Sequence, residues 1–138
     1  MNHEPRGIRQ NNPGNIRLNP NIHWQGEVPT TDPDFCAFDT DVDGIRALAK
    51  ILYNYQTEHG LNTVQEMIDR WAPPVENDTG AYVNAVAEAM QVQPTDTIDV
   101  TDADTLDAMV TAIITHENGE QPYPDATIQQ AITEVLNA

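Results

Sequence analysis

The chain has 138 residues, 22 of them Asp or Glu against six Lys or Arg, for a net charge of −16 and an isoelectric point near 4.1. That length supports a single domain, 1–138, with its own core, and no apolar run is long enough to span a membrane. So acidic a surface repels nucleic acid and anionic lipid, whose binding requires cations on phosphates, so no nucleic acid partner and no membrane insertion are expected.

All six basic residues, Arg6, Arg9, Arg17, Arg46, Lys50 and Arg70, fall in the first seventy positions. Three of them flank NNPGN as a basic island suited to local carboxylates or to an anionic substrate. The single cysteine, Cys36, excludes an intramolecular disulfide and reads as a small buried apolar residue. The few scattered His spell no zinc site, and no metal or organic cofactor is expected. MNHEPRGIRQNNPGN has no apolar signal segment, so the expectation is delivery by a route other than general secretion.

In chain order, the first forty residues read as loop and turn. Asn11, Asn12, Pro13, Gly14 and Asn15 form a dense group of turn formers, with Asn side chains able to bond nearby backbone. Trp24 and Gly26 follow, then the Pro- and Asp-rich VPTTDPD, then Phe35-Cys36-Ala37-Phe38, a short strand or an ordered aromatic loop. Irregular chain of this length needs a function or a platform to hold it.

Helices then dominate. Asp41 or Asp43 is placed to cap a helix with Ile45, Leu48, Ile51, Leu52 and Tyr55 on its apolar face, closing at Gly60. Thr63-Val-Gln-Glu66 is a capping-box pattern, opening a short helix with Val64, Met67, Ile68 and Trp71 inward and stopped by Pro73-Pro74. Beyond the polar link VENDTG, a third helix carries Tyr82, Val83, Val86 and Met90. A fourth holds Leu106 to Gly119, and the last opens at Pro124 or Asp125 and buries Ile128, Ile132, Val135 and Leu136. The pattern is mainly α, about five amphipathic helices around one core, with an irregular N-terminal loop and short β region.

The fourth helix carries the most informative residue. Leu106, Met109, Val110, Ile113 and Ile114 recur on one face, and the next place on that face is Glu117. Gly119 is a natural left-handed cap, so Glu117 also stands in the last turn, where the helix dipole disfavours a carboxylate by roughly 0.3–1 kcal/mol. Partial burial and the negative helix end both favour the protonated acid, as required of a group that protonates a glycosidic oxygen.

Five motifs appear in order: RGIRQNNPGNI, HWQGE, FCAFDT with GIRALAKIL, WAPPVENDTGAYV, and HENG followed by Tyr123. Together, from Arg6 to about Tyr123, they resemble small phage and prophage virion proteins of the lysozyme-like superfamily. The pieces are also similar to glucosaminidases, goose-type lysozymes and lytic transglycosylases, but in a different chain order. There the helix ending in the catalytic Glu precedes the Asn-rich turn; here Glu117-Asn118-Gly119 comes late and Asn11 to Ile16 early. A circular permutation reconciles the two orders and requires the N-terminal turn and the end of the Glu117 helix to lie side by side. Glu4, just before the turn, is a competing acid, but no helical pattern leads into it.

The resemblance implies a lysozyme-like fold and cleavage of the β-1,4 bond of peptidoglycan, with Glu117 as general acid and then base. The base step acts on water or on the muramic 6-hydroxyl. Asn11, Asn12, Asn15, Trp24, Phe38, Tyr82 and Tyr123 are the expected substrate-binding residues, and Glu27, Asp39 and Asp41 possible helper acids. His116, about 100° round the helix from Glu117, reads as a rim residue. The implied partners are peptidoglycan strands and other virion proteins, and the implied setting is a phage particle acting on the host envelope. The alternatives are a virion structural protein that keeps the fold without turnover, and a secreted antibacterial effector domain.

Overall fold

The computed structural model describes residues 4–74 and 77–138. The first residues of the segment searched for a signal, and Val75 and Glu76 at the start of the VENDTG link, lie outside the described residues.

Five long helices carry the chain: α2 (Asp41–Thr57), α3 (Val64–Trp71), α4 (Thr79–Met90), α5 (Ala103–Asn118) and α6 (Asp125–Leu136). They are preceded by a single helical turn, α1 (Arg6–Arg9), and a two-stranded antiparallel ribbon of β1 (Glu27–Val28) and β2 (Ala37–Phe38), with Glu27 opposite Phe38. The mainly helical expectation holds, and α1 is an addition to it.

Four of the long helices begin at a side chain that caps the backbone N–H three residues on: Thr40, Thr63, Asp78 and Asp102. At α3 the reciprocal half of the capping box is shifted by one residue, since Glu66 Oε1 accepts from the Asn62 N–H at 3.2 Å. At α2 the cap is Thr40, not Asp41 or Asp43. Both aspartates lie inside the first turn, where the positive end of the helix dipole favours them. α5 ends, as its sequence predicts, on Gly119 in the left-handed region, φ 74°.

The helices share one core. α2 packs on α6 and α5, α4 lies between α3 and α5, and Leu48, Leu52, Met67, Leu106, Met109 and Ile113 are among the fully buried side chains. A second, smaller core of Ile16, Cys36, Phe38 and Ala47 fastens the N-terminal region to α2. Hydrogen bonds from side-chain amides do the rest. Asn12 is buried; its Nδ2 donates to the carbonyls of Ile16 and Cys36, both at 3.0 Å, and its Oδ1 accepts from the Ile16 N–H at 2.9 Å. Asn11 and Asn15 adopt φ of 53° and 51°, a conformation that Asn tolerates better than most residues. Gly44 in α2 allows the turn to seat, because a Cβ there would fall inside the Asn11 carbonyl oxygen.

Candidate active site

Periodicity brings Glu117 to the end of the buried face of α5, and the carboxylate is half-buried there. Both of its oxygens accept hydrogen bonds. Asn15 Nδ2 donates to Oε1 at 2.9 Å, and the Tyr82 hydroxyl donates to Oε2 at 2.7 Å. The Tyr82 oxygen in turn accepts from Trp71 Nε1 at 3.1 Å. One polar chain therefore links α3, α4, α5 and the Asn-rich turn. Burial, and then the adjacent Glu117 charge, push the Tyr82 phenol far above its ordinary range, so it remains a protonated donor.

The next residue makes a parallel connection. Asn118 Nδ2 donates to the Pro13 carbonyl at 2.7 Å and to the Ile114 carbonyl at 2.9 Å. A Cβ at Gly7 would stand 2.7 Å from Asn118 Oδ1 and 2.8 Å from both Asn15 Oδ1 and the Asn12 carbonyl oxygen, so α1 closes on this joint only because residue 7 is glycine. The juxtaposition that a permuted chain order requires, N-terminal turn beside the end of α5, is thus present.

Two hollows meet at Glu117. The larger, about 500 Å³, is walled by Ile51, Tyr55 and Trp71 on its apolar side and by Asn15, Arg6 and Arg17 among its polar groups. The smaller, about 270 Å³, is lined by Asp78, Ala81, Tyr82 and His116. Glu117 and Asn77 line both. His116 is exposed at the rim, its ring stacked on Tyr82 with centroids 3.8 Å apart.

Of the seven expected substrate-binding residues, Asn15 and Tyr82 are brought to Glu117. The others line neither hollow. Asn12 is committed to the turn, and Asn11 donates to the Phe38 carbonyl at 3.1 Å. Phe38 is only 3% exposed in the small core, and Trp24 packs half-buried against it. Tyr123 lies against the helical core, its phenol pushed up to about 12 by burial, with Asp41, Glu4 and Glu120 adding to the shift. The helper acids are placed elsewhere too: Glu27 accepts from the Trp24 N–H, Asp39 is exposed beside β2, and Asp41 opens α2. Glu4 is exposed and outside any helix. Among the described residues, the other carboxylate lining a hollow beside Glu117 is Asp78, and its Oδ1 caps α4.

Trp71, Phe35 and Asn77 complete the walls without having been singled out for them. Trp71 sits at a core position of α3, and its indole edge extends past the core to the groove. Among the described residues, no group of three or more His, Cys, Asp or Glu is arranged to hold a metal ion, and no helix is long and apolar enough to cross a membrane.

No family model matches the chain. It is 40% identical over 126 residues to Protein P5 of Pseudoalteromonas phage PM2, a match covering 89% of this chain and 77% of that protein.

Proposed function

The chain belongs to the family of Protein P5 of Pseudoalteromonas phage PM2, and from the geometry around Glu117 we propose that it is a phage virion protein that cleaves the β-1,4 glycan backbone of peptidoglycan, with Glu117 as general acid and base. The observation that carries this reading is the position of the Glu117 carboxylate, half-buried where two hollows meet, with an aromatic wall on one side. A glycan cleaved at an internal bond must occupy space on both sides of the acid, and sugar rings pack on apolar faces such as those of Trp71 and Tyr55. The resemblance to lysozyme-like glycosidases in permuted order is supported by the contact of Asn15 with Glu117 and of Asn118 with Pro13.

In this reading the Glu117 carboxyl gives its proton to the glycosidic oxygen as the bond to the anomeric carbon breaks. The carboxylate left behind is received by two donors already in place, the Tyr82 hydroxyl and the Asn15 amide, which require no reorganisation during the step. It then takes a proton from water, giving hydrolysis, or from the muramic 6-hydroxyl, giving an anhydro product. Asp78 lies within the smaller hollow as the second carboxylate.

The test is Glu117→Gln, which keeps shape and removes the transferable proton. Release of soluble fragments from purified peptidoglycan should fall by roughly 10²–10⁴-fold, the range for loss of a general acid and base, with the protein still folded. Mass spectrometry of the wild-type digest separates reducing-end from anhydro products.

One observation favours a second reading, a virion structural protein without turnover. Glu117 and Asn118 together tie the N-terminal turn to α5, so the same bonds serve as a clasp. That reading expects wild-type protein to leave several wall types intact.

A further inference from the structure

Among the described residues, Leu18 and Ile22 are the exposed large hydrophobic side chains, at 38% and 41% of full exposure. They sit four residues apart on a turn that is held in shape. The Leu18 N–H donates to the Asp34 carbonyl at 2.9 Å, the Ile22 N–H closes the turn on the Asn19 carbonyl at 3.0 Å, and Asn19 Oδ1 accepts from the Asn21 N–H at 2.9 Å. Pro20 fixes one more backbone angle inside it. An apolar pair presented on so constrained a turn loses little conformational entropy when it is covered. The stretch also differs from the rest of this acidic chain in charge: from Pro5 to Gly26 it contains no Asp or Glu.

The matching feature lies on the helical side. Between α4 and α5 runs a groove of about 600 Å³, walled by Ala85 and Ala89 from one helix and Ala108 and Ala112 from the other, with carboxylates from Asp107 and, at the start of α6, Asp125. The trough is open because alanine side chains stop at Cβ. Asp107 is half-buried there. Burial pushes its carboxyl above the ordinary range, against the Thr111 hydroxyl that donates to it at 3.3 Å, and the charges of Asp125 and Asp104 add to the rise. Residues 71–138 hold no Lys or Arg, so that half of the chain brings no cation to the groove. No residue of the Leu18–Ile22 turn lines it either, so a copy does not fill its own groove with its own turn.

We propose that this groove receives the Leu18–Ile22 turn of a second copy of the chain, head to tail. Shape and charge select that occupant. Leu18 and Ile22 are the large apolar side chains that a copy offers outward, and a trough between alanine faces has room for branched side chains. At a net charge of −16, most faces of a second copy would set carboxylates against Asp107 and Asp125, whereas the acid-free turn does not. Such a contact is heterologous: unless it closes on itself, it leaves a turn exposed at one end of the assembly and a groove open at the other. It is independent of turnover at Glu117.

Sedimentation equilibrium over a concentration series tests it, in enough sodium chloride to screen the repulsion between two acidic copies. One turn in one groove is a small contact, so the mass should rise above the 15.3 kDa of the monomer in the micromolar to millimolar range. Ile22→Asp spoils the turn and Ala85→Glu spoils the groove, both at exposed positions, and helical circular dichroism should stay as in wild type. Each variant alone should associate about tenfold more weakly or less still. Mixed together, they keep one sound turn and one sound groove between them, so the mixture should form a dimer and stop there. A wild-type mass that stays monomeric at millimolar protein overturns the proposal. Association that survives Ile22→Asp overturns it too, and loss with Ile22→Asp but not with Ala85→Glu places the turn against some other surface and removes the groove from the contact. A mixture of the two variants that stays monomeric likewise overturns the head-to-tail pairing.

Discussion

Residues 4–40 and the helices that follow bury their backbone by different means. From α2 onward the helices satisfy their own N–H and C=O groups, and stability comes from apolar faces meeting in one large core. The N-terminal region has one helical turn and two two-residue strands, so side-chain amides stand in for a ladder: Gln10 and Asn12 both donate to the Cys36 carbonyl, and Asn11 to that of Phe38. The basic residues are split between the two: Arg6, Arg9 and Arg17 lie in the N-terminal region and Arg46, Lys50 and Arg70 in α2 and α3. Glu117 sits on the seam. One of its oxygens is held by the amide-built region through Asn15 and the other by the helical region through Tyr82. A site assembled this way depends on both regions, yet each should fail in its own manner.

The largest expected effect tests the helical side. Leu106 is fully buried, and Leu106→Ala should cost about 3–5 kcal/mol through lost transfer energy and the cavity left behind. Because the core is shared by all five long helices, the loss should appear as a single cooperative shift in urea unfolding. Asn12→Ala should cost less, about 1–3 kcal/mol. The Ile16 and Cys36 carbonyls each retain another donor, from Cys36 N–H and Gln10 Nε2, which leaves the Ile16 N–H as the group that loses its partner. Its signature should be different. Hydrogen exchange should quicken across residues 10–38 and change little in α5 and α6. Uniform acceleration throughout the molecule would show that the two regions open as one unit.

Tyr82→Phe is smaller again and acts at the seam itself. It removes the donor to Glu117 Oε2 and leaves Trp71 Nε1 without its acceptor, at about 1–2 kcal/mol of stability, while the ring and its stacking on His116 are kept. If Tyr82 holds the carboxylate for proton transfer, kcat on peptidoglycan should drop about tenfold with KM unchanged. A change in KM alone would mean that the hydroxyl serves binding instead.

The same division explains what can be read from the sequence. Helical periodicity placed the buried face of α5 and carried Glu117 to its end, and Thr63 and Glu66 marked the start of α3 because capping is a local affair. The irregular region resists such reading. Phe35 and Phe38 lie three residues apart in a segment too short for an alternation to register, and they face opposite ways: Phe35 to the groove under Arg6 and Arg17, Phe38 into the small core. The sequence reading chose Phe38 for the cleft. Single-turn α1 passes unnoticed because four residues show no period, and Gly7, a poor helix former, is required by Asn118 and Asn15 far along the chain or across the turn. The meeting of Asn15 with Glu117, 102 positions apart, was suggested only by the order of motifs, since no local rule connects residues at that distance.

The smallest effect offers the finest separation of the two regions, and it is read through Cys36. The thiol is fully buried in the small N-terminal core, and burial, with the nearby Glu27 charge, pushes it up from 9.0 to about 12. A raised pKa on a group that is neutral when protonated means that the folded form prefers the thiol while the unfolded chain ionises near 9. The resulting stability is complete below pH 9 and is lost as pH rises from there toward 12. Tyr55 and Tyr123, packed against the helical core, are pushed from 10.0 to about 12, so their equivalent loss begins about one pH unit later. Between pH 9 and 10 the N-terminal region should therefore loosen first. Since the thiolate is the reactive species, labelling of Cys36 by a disulfide reagent, corrected against an unstructured cysteine peptide at each pH, should accelerate in that interval while helical circular dichroism stays constant. If the corrected labelling rises only where the helical signal falls, the amide-built region has no independent opening, and its side-chain hydrogen bonds are as cooperative with the core as the helices themselves.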